Sequence, residues 1–349
     1  MTSIFDLIFI TMLNTRQIIA LKEINGCGAA TIRHLVEESR KMSQVNISNE
    51  DFLDFINNCI AAGIKRSRLK TVNKSDFNVA VSNADRILDE SSKSGIRVTS
   101  YIDTSFPSQL LKTVNEDGKF DIPLVLYYKG DLSIASQNGI AIIGTREPTK
   151  EGLQAGEYFG EKLAEEGFNI ISGLAIGCDT AGHRGALKYS KGKTTAFLAH
   201  GLDSIYPSEN EKLAAEILER GGLLMSEYSI GENVNRYNLV ARDRLQAALA
   251  NATIVIQTGI NGGTNHAANT TLISGKPLFC VKYGDESIMN HEKVAGNKAL
   301  VTKGAKYITS NDYKEKISLS IGTSNTNPSS CNSSIAKGQK ELLLFNFDD

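Results

Sequence analysis

The chain has 349 residues, with 38 Lys and Arg against 39 Asp and Glu and a formal net charge of -1. Its length suggests two domains and a tail, and 41% hydrophobic with 22% charged residues excludes global disorder. The near-neutral balance also excludes a protein that coats nucleic acid by bulk charge, so any DNA or RNA site must be a local patch.

The opening MTSIFDLIFITML is apolar but carries Asp6 and no preceding basic residue. It reads poorly as a signal peptide, is too short to span a membrane, and fits a first helix packing into a core. Residues 1–90 read as a small helical domain. Within it, Gly26 and Gly28 lie between two apolar-periodic stretches. This resembles the turn of a helix–hairpin–helix or SAM-like unit, whose free N–H groups can meet a phosphate. A plain helix–helix connection needs the same glycines for positive φ.

Residues 91–135 are transitional, with strands expected at Gly95–Tyr101 and Pro123–Tyr128 around a polar loop at Asn115–Gly118. From 139 onward, apolar runs at 139–144, 168–172, 194–199, 222–226, 252–257 and 277–282 alternate with helix-like stretches. In 151–166, Ala155, Phe159 and Leu163 recur every four residues, as one packed helix face requires. The alternation predicts an α/β domain over 91–314: an extended Rossmann-like parallel sheet with helices on both faces and right-handed crossovers. Ligands of such sheets bind at the carboxyl ends of the strands. Residues 315–349, including the polar run Gly322–Ser334, predict a flexible tail.

Cys27, Cys59, Cys178, Cys280 and Cys331 are odd in number, far apart and without a CxxC pair. That pattern fits reduced thiols in a cytoplasm and supports neither a zinc site nor a disulfide framework. The histidines other than His183 show no metal-ligand spacing, so neither a metal nor a cofactor is expected.

The candidate chemistry sits at strand ends. Gly144-Thr145-Arg146 follows the first regular strand and precedes Lys150 and a helix. A glycine and a hydroxyl at a strand-to-helix turn admit an anion, the helix start adds N–H groups, and Arg146 supplies a fork for phosphate oxygens. The competing reading pairs Arg146 with Glu147. The next strand ends in Ser172-Gly173, with Asp179 as a possible helix cap and His183 as a packing or hydrogen-bonding residue. Arg242-Asp243-Arg244 can grip one phosphate strand only if the pair precedes its helix; otherwise acids neutralise it.

Other motifs lead nowhere. Gly192-Lys-Thr194 runs into a strand and lacks the first glycine of a phosphate loop, which would fall at Leu187. No GxGxxG follows the first strand, which argues against a dinucleotide. Gly262-Gly-Thr264 resembles the loop of nucleotide phosphoribohydrolases, but their catalytic glutamate would fall at Ala267, so that activity is not expected.

In order and spacing, these segments resemble the DNA-processing protein A (DprA/Smf) family from Gly95 to Val281. The matching segments are Asp103-Thr-Ser-Phe-Pro-Ser-Gln-Leu110, Pro123–Gly130, Gly144-Thr-Arg146, Ser172–Asp179, His183, Gly185-Ala-Leu187 and Gly201–Pro207 with Asn210. The resemblance implies a non-enzymatic, single-stranded-DNA-binding protein of recombination and DNA uptake. Such a protein protects strands, helps load a RecA-type recombinase and forms a homodimer. It also implies that Gly144, Thr145, Arg146, Ser172 and Gly173 form a phosphate pocket and Arg242 and Arg244 a basic motif. The family pattern is closer to Arg-Asn-Arg-Ile-Ile-Ala-Gly-Leu-Ser; here Asp243, Gln246, Ala248 and Ala250 depart from it. A carboxylate between two arginines opposes a polyanion, which leaves open a second reading: a sensor of a nucleotide or nucleotide-derived signal in defence or regulation. Finally, Gln339, Leu342, Leu344 and Phe345 fit a Gln-x-x-Leu-x-Leu-Phe peptide that docks on bacterial sliding clamps, or else a terminal segment that packs back on the protein.

Overall fold

A computed structural model of the chain describes residues 13–42, 47–64 and 69–322. The expected first helix within 1–13, except Leu13, and the clamp-type peptide at 339–345 lie outside these residues, as does Cys331.

Among the described residues four helices come first: α1 (Thr15–Glu23), α2 (Ala29–Arg40), α3 (Asn49–Ala62) and α4 (Lys74–Lys93). Asn14 starts α1 with a reciprocal capping box, its side chain accepting from Gln17 N while the Gln17 side chain accepts from Asn14 N. Ser48 and Asn73 cap α3 and α4 in the same region of the helix start. Phe52 and Phe77 meet edge-to-face at 5.6 Å in the centre of this unit. The helices do not stand apart from the sheet. A single buried apolar cluster runs from Ile18, Leu35 and Phe52 into Val125, Tyr127, Leu198 and Leu224. Polar ties reinforce it: Thr15 Oγ1 donates to Asp103 Oδ2 at 2.6 Å, and Ser100 N donates to the same oxygen at 2.7 Å.

The sheet has nine strands: β1 (Arg97–Ser100), β2 (Val125–Gly130), β3 (Gly139–Ile143), β4 (Asn169–Ser172), β5 (Lys193–Leu198), β6 (Leu223–Ser226), β7 (Ala252–Val255), β8 (Leu278–Val281) and β9 (Lys306–Ile308). Their order is β1-β2-β6-β5-β4-β3-β7-β8-β9. From β3 to β9 every pairing is parallel, as the near-continuous apolar runs predict. The two transitional strands join differently: β1 pairs antiparallel with β2, and β2 antiparallel with β6. The domain is thus mixed α/β rather than purely parallel.

Helices α5 (Lys150–Glu165), α6 (Cys178–Lys188), α7 (Glu211–Glu219), α8 (Arg236–Leu249) and α9 (Thr264–Ile273) form the main connections, followed by α10 (Glu286–Met289), α11 (Ala295–Thr302) and α12 (Tyr313–Gly322). Phe159 and Leu163 are buried on α5, as the four-residue period requires. α5 and α6 cross closely because a Cβ on Gly160 would collide with Gly182 O, and one on Gly185 with Glu157 O.

The expected tail boundary at 315 needs correction. α12 continues to Gly322 because Ile317 and Ile321 are buried with Phe159 and Tyr313, a four-residue apolar repeat hidden among polar neighbours. β3 leads through β4 and β5 to β6 on one side, and the chain then returns to place β7 on the other side of β3. The sheet's switch point therefore lies between the carboxyl ends of β3 and β7, where an open α/β sheet leaves a crevice.

Candidate nucleic-acid interface

A cleft of about 440 Å³ opens at that switch point, a size that suits a small ligand or one unit of a polymer. Its walls come from Gly144–Glu147 after β3, Asp179 in α6, the Arg236–Gln246 face of α8, and Gly262–Ala267 at the start of α9. A second hollow, of 530 Å³, lies between α1 and the segment after β6. Glu23, Glu227 and Glu232 line it against one lysine, Lys22, so its charge opposes an anion.

The loop after β3 is held rigidly. Thr145 N donates to Gln257 O at 2.7 Å, and Thr145 O accepts from Cys178 N at 3.2 Å. Gly144 is packed so tightly on the Cys178 side chain and Gln257 O that a Cβ would not fit. Gln257 also staples the start of α5: its Oε1 accepts from Thr149 N at 2.9 Å, and its Nε2 donates to Thr149 Oγ1 at 3.0 Å. Arg146 projects from this frame, exposed, with no hydrogen bond or ion pair among the described residues. The alternative pairing with Glu147 does not form; Glu147 lies 3.9 Å from Lys293 instead. Lys150 is exposed at the first position of α5, outside the cleft lining.

Ser172 and Gly173 require a correction. The Ser172 hydroxyl is fully buried and donates to Ile142 O at 2.6 Å, across the β3–β4 ladder. Gly173 N donates to Asp179 Oδ2 at 3.0 Å, and Gly173 O accepts from Arg242 Nη1 at 2.6 Å. Every group that could have met a phosphate there is spent on the protein's own structure. Asp179 is therefore a loop anchor rather than the cap of α6, whose N-cap is Gly177. Leu174 follows with φ 59°, a left-handed conformation rare for a leucine. Asn210 Nδ2 holds it by donating to Leu174 O at 2.8 Å. Asp179, Arg242 and Asn210 thus converge on one strained loop.

Arg242 and Arg244 are the larger correction. Both lie inside α8, not ahead of it, and are 4% and 8% exposed. Arg242 donates to Gly173 O, Phe197 O and Asp243 Oδ1. Arg244 makes a two-pronged contact with Glu227 at 2.7 Å on each arm, a 2.6 Å ion pair with Asp121, and a bond to Ala241 O. Only Arg242 borders the cleft, and its guanidinium is committed to carbonyls. The family's basic motif here knits α8 to the sheet and to the segment before β2.

The cleft gains instead a cation that the sequence pattern did not single out. Arg236 opens α8 after its Asn235 cap, is exposed, and touches no carboxylate among the described residues. Its guanidinium stacks 4.8 Å over the Tyr237 ring and donates to the Tyr237 hydroxyl at 2.7 Å. The signal was available: 236, 239, 240 and 243 fall at i, i+3, i+4 and i+7, one helix face. Gly262, Gly263, Thr264 and His266 form the opposite wall, with His266 Nδ1 paired to Glu116 from the polar loop before β2.

His183 and Asp179 are buried groups with displaced protonation. His183 is fully buried, and its Nδ1 meets Thr194 Oγ1 at 2.6 Å. Thr194 gives its own hydrogen to Ile170 O, so Nδ1 is the protonated ring nitrogen. Burial, then the Arg242 charge, push its pKa down to about 3, and the residue is a neutral packing element. The Asp179 carboxyl is pushed up to about 6 by burial, partly offset by Arg242 and reinforced by Asp243. A raised acid costs stability once ionised in the fold: the cost is absent below about pH 4 and complete above about pH 6. Asp179→Asn keeps an acceptor for Gly173 N–H and removes the titration. The stability of the wild type relative to this variant should fall by up to about 3 kcal/mol between pH 4 and 7 in urea titrations. Parallel curves for the two proteins would show that Asp179 does not titrate in this range.

Fold and cleft together define a class: an extended Rossmann-like α/β protein whose switch-point crevice carries at its rim two arginines with no hydrogen bond or ion pair to a carboxylate among the described residues. The model of the DNA recombination-mediator protein A family matches residues 97–317, and the chain belongs to that family. It is 33% identical to the protein Smf of Escherichia coli K12 over 176 residues, which are 50% of this chain and 45% of Smf. It is also 33% identical to DNA processing protein DprA of Streptococcus pneumoniae over 191 residues, 55% of this chain and 65% of DprA. The matched segments thus span about half to two thirds of these curated relatives. The crystal structure of the S. pneumoniae DprA superposes with a TM-score of 0.67 at 27% identity, covering 86% of this chain and 96% of that one. A Helicobacter pylori DprA structure, described for its single-stranded DNA binding mode, gives 0.51 at 29% identity, covering 61% and 90%.

Proposed function

We propose that this protein is a non-enzymatic recombination mediator that holds single-stranded DNA by its phosphates at the switch-point cleft. The observation that carries this reading is the presence of Arg146 and Arg236, both exposed at the cleft and neither hydrogen-bonded nor ion-paired to a carboxylate among the described residues, with the Arg146 charge felt only at longer range by Asp243. Two guanidinium forks on a rigid rim suit a polyanion's backbone and ask nothing of its sequence. The H. pylori relative is described as binding single-stranded DNA, which supports the same assignment here. The absence of catalysis is part of the proposal: Ala267 lines the cleft where a nucleotide-cleaving enzyme of similar sheet would need a carboxylate.

Loading of a RecA-type recombinase, a homodimer, a cytoplasmic setting and a secondary phosphate contact at Gly26 and Gly28 belong to the same proposal. Gly26 has φ 85° and Gly28 is the N-cap of α2, a geometry that serves a tight connection equally well. Among the described residues no helix is long and apolar enough to cross a membrane. The clamp-type peptide remains a separate proposal: pull-down of a sliding clamp should be lost on deleting 339–349.

Fluorescence anisotropy of labelled oligo-dT and its duplex across a salt series tests the main reading. Single-strand preference that weakens steeply with salt is the expected result. Absence of single-strand binding at low salt would reject it in favour of a small-nucleotide sensor. Asp243 at the cleft wall favours that second reading, since its charge opposes a polymer of phosphates.

A further inference from the structure

The α8 wall of the cleft presents hydrogen-bond acceptors that the chain leaves unsatisfied. Asp243 Oδ1 accepts from Arg242 Nε at 3.1 Å and from Gln246 Nε2 at 3.2 Å, whereas Oδ2 accepts nothing among the described residues. A carboxylate only accepts, so the amide nitrogen of Gln246 must face it and Oε1 must face away. Gln246 is 2% exposed, and its Oε1 is buried without a partner. Both residues line the cleft. Gln246 Oε1 is closed to solvent, so Asp243 Oδ2 is the acceptor that a ligand in the cleft can reach.

These acceptors restrict what the cleft can hold. A bare phosphate offers oxygens to oxygens and meets the Asp243 charge. A matching ligand carries an anionic end for Arg146 and Arg236 and hydroxyl donors for Asp243. The cavity of about 440 Å³ has room for one nucleotide. A carboxylate at the crevice of a Rossmann-type sheet is well matched to sugar hydroxyls, because two adjacent O–H groups can serve two nearby acceptors.

We propose that the cleft seats a ribonucleotide, with its phosphate toward Arg146 and Arg236 and its ribose hydroxyls donating to Asp243 Oδ2. The 2′-hydroxyl is then the discriminating group, since a deoxynucleotide brings one donor fewer to that carboxylate. This inference rests on the reading of the cleft as a phosphate site, but departs from DNA as the ligand that fits it best. It assigns a purpose to Asp243, a position at which the chain departs from the family pattern.

Isothermal titration of the full-length protein with UMP, dUMP, ribose 5-phosphate and 2-deoxyribose 5-phosphate tests it. UMP should bind about tenfold or more tightly than dUMP, the usual effect of one hydrogen bond to a charged acceptor. Ribose 5-phosphate should share the advantage over 2-deoxyribose 5-phosphate, which separates sugar donors from base donors. Asp243→Asn, checked for folding by circular dichroism, should bring UMP and dUMP within about threefold of each other. Equal affinities for UMP and dUMP in the wild type would overturn the proposal, and that comparison needs no variant. Failure of both nucleotides to bind a protein that still binds oligo-dT would overturn it too, leaving the DNA reading intact. Failure of all ligands would remove both.

Discussion

Arg146→Ala should lower the affinity of the full-length protein for oligo-dT by about 10- to 100-fold at low salt, without moving the unfolding midpoint. The size follows from losing one charge-assisted, two-pronged contact, worth about 1.5–3 kcal/mol. The selectivity follows from the local geometry. Arg146 is exposed and makes no hydrogen bond or ion pair among the described residues, while Thr145, Cys178 and Gln257 hold the loop without it. Removing the side chain therefore leaves no buried charge and no cavity, and stability should stay within about 0.5 kcal/mol. The slope of log affinity against log salt should also fall by about one, the signature of one lost phosphate contact. Anisotropy titrations at several salt concentrations, paired with urea unfolding, report both quantities. Wild-type affinity in this variant would remove the loop after β3 from the site.

Arg244→Ala should have the opposite profile, losing about 3–5 kcal/mol of stability. Arg244 is 8% exposed and is shared by Glu227, Asp121 and Ala241 O. Its removal strands the Glu227 carboxylate, only 15% exposed, without its counter-charge. Arg244→Lys should recover part of the loss and no more, because an ammonium cannot reproduce the fork. Urea denaturation measures the change directly. Oligo-dT binding should fail only under conditions where the variant unfolds. A stable variant with lost binding would restore Arg244 to the ligand site and refute its structural role.

These two arginines mark where local pattern stops being informative. Arg146 was legible because Gly144-Thr-Arg146 sits at the end of an apolar run, and a strand end in a parallel sheet is a predictable place. For Arg242 and Arg244, Asp243 and the residue spacing leave open whether the pair precedes the helix or lies within it. The Asn235 cap decides this by starting α8 six residues before Arg242, and Glu227 and Asp121 reach Arg244 from distant parts of the chain. Arg236 was missed for a related reason: it matters only because its helix forms a wall of the crevice. β9 escaped notice because it has three residues, the first of them exposed. α12 did so because its two buried isoleucines lie in an otherwise polar stretch.

The sequence by itself determined the α/β class, the six central strands and the loop that carries Arg146, since near-continuous apolar runs can be satisfied only by strands buried on both faces. Tertiary structure alone decided which polar groups remain free. Ser172, Gly173, Arg242 and Arg244 are consumed by partners distant in sequence, and Gln246 Oε1 is left without one. Hydrogen-bond capacity is a property of each residue, but its availability depends on what the fold brings within about 3 Å.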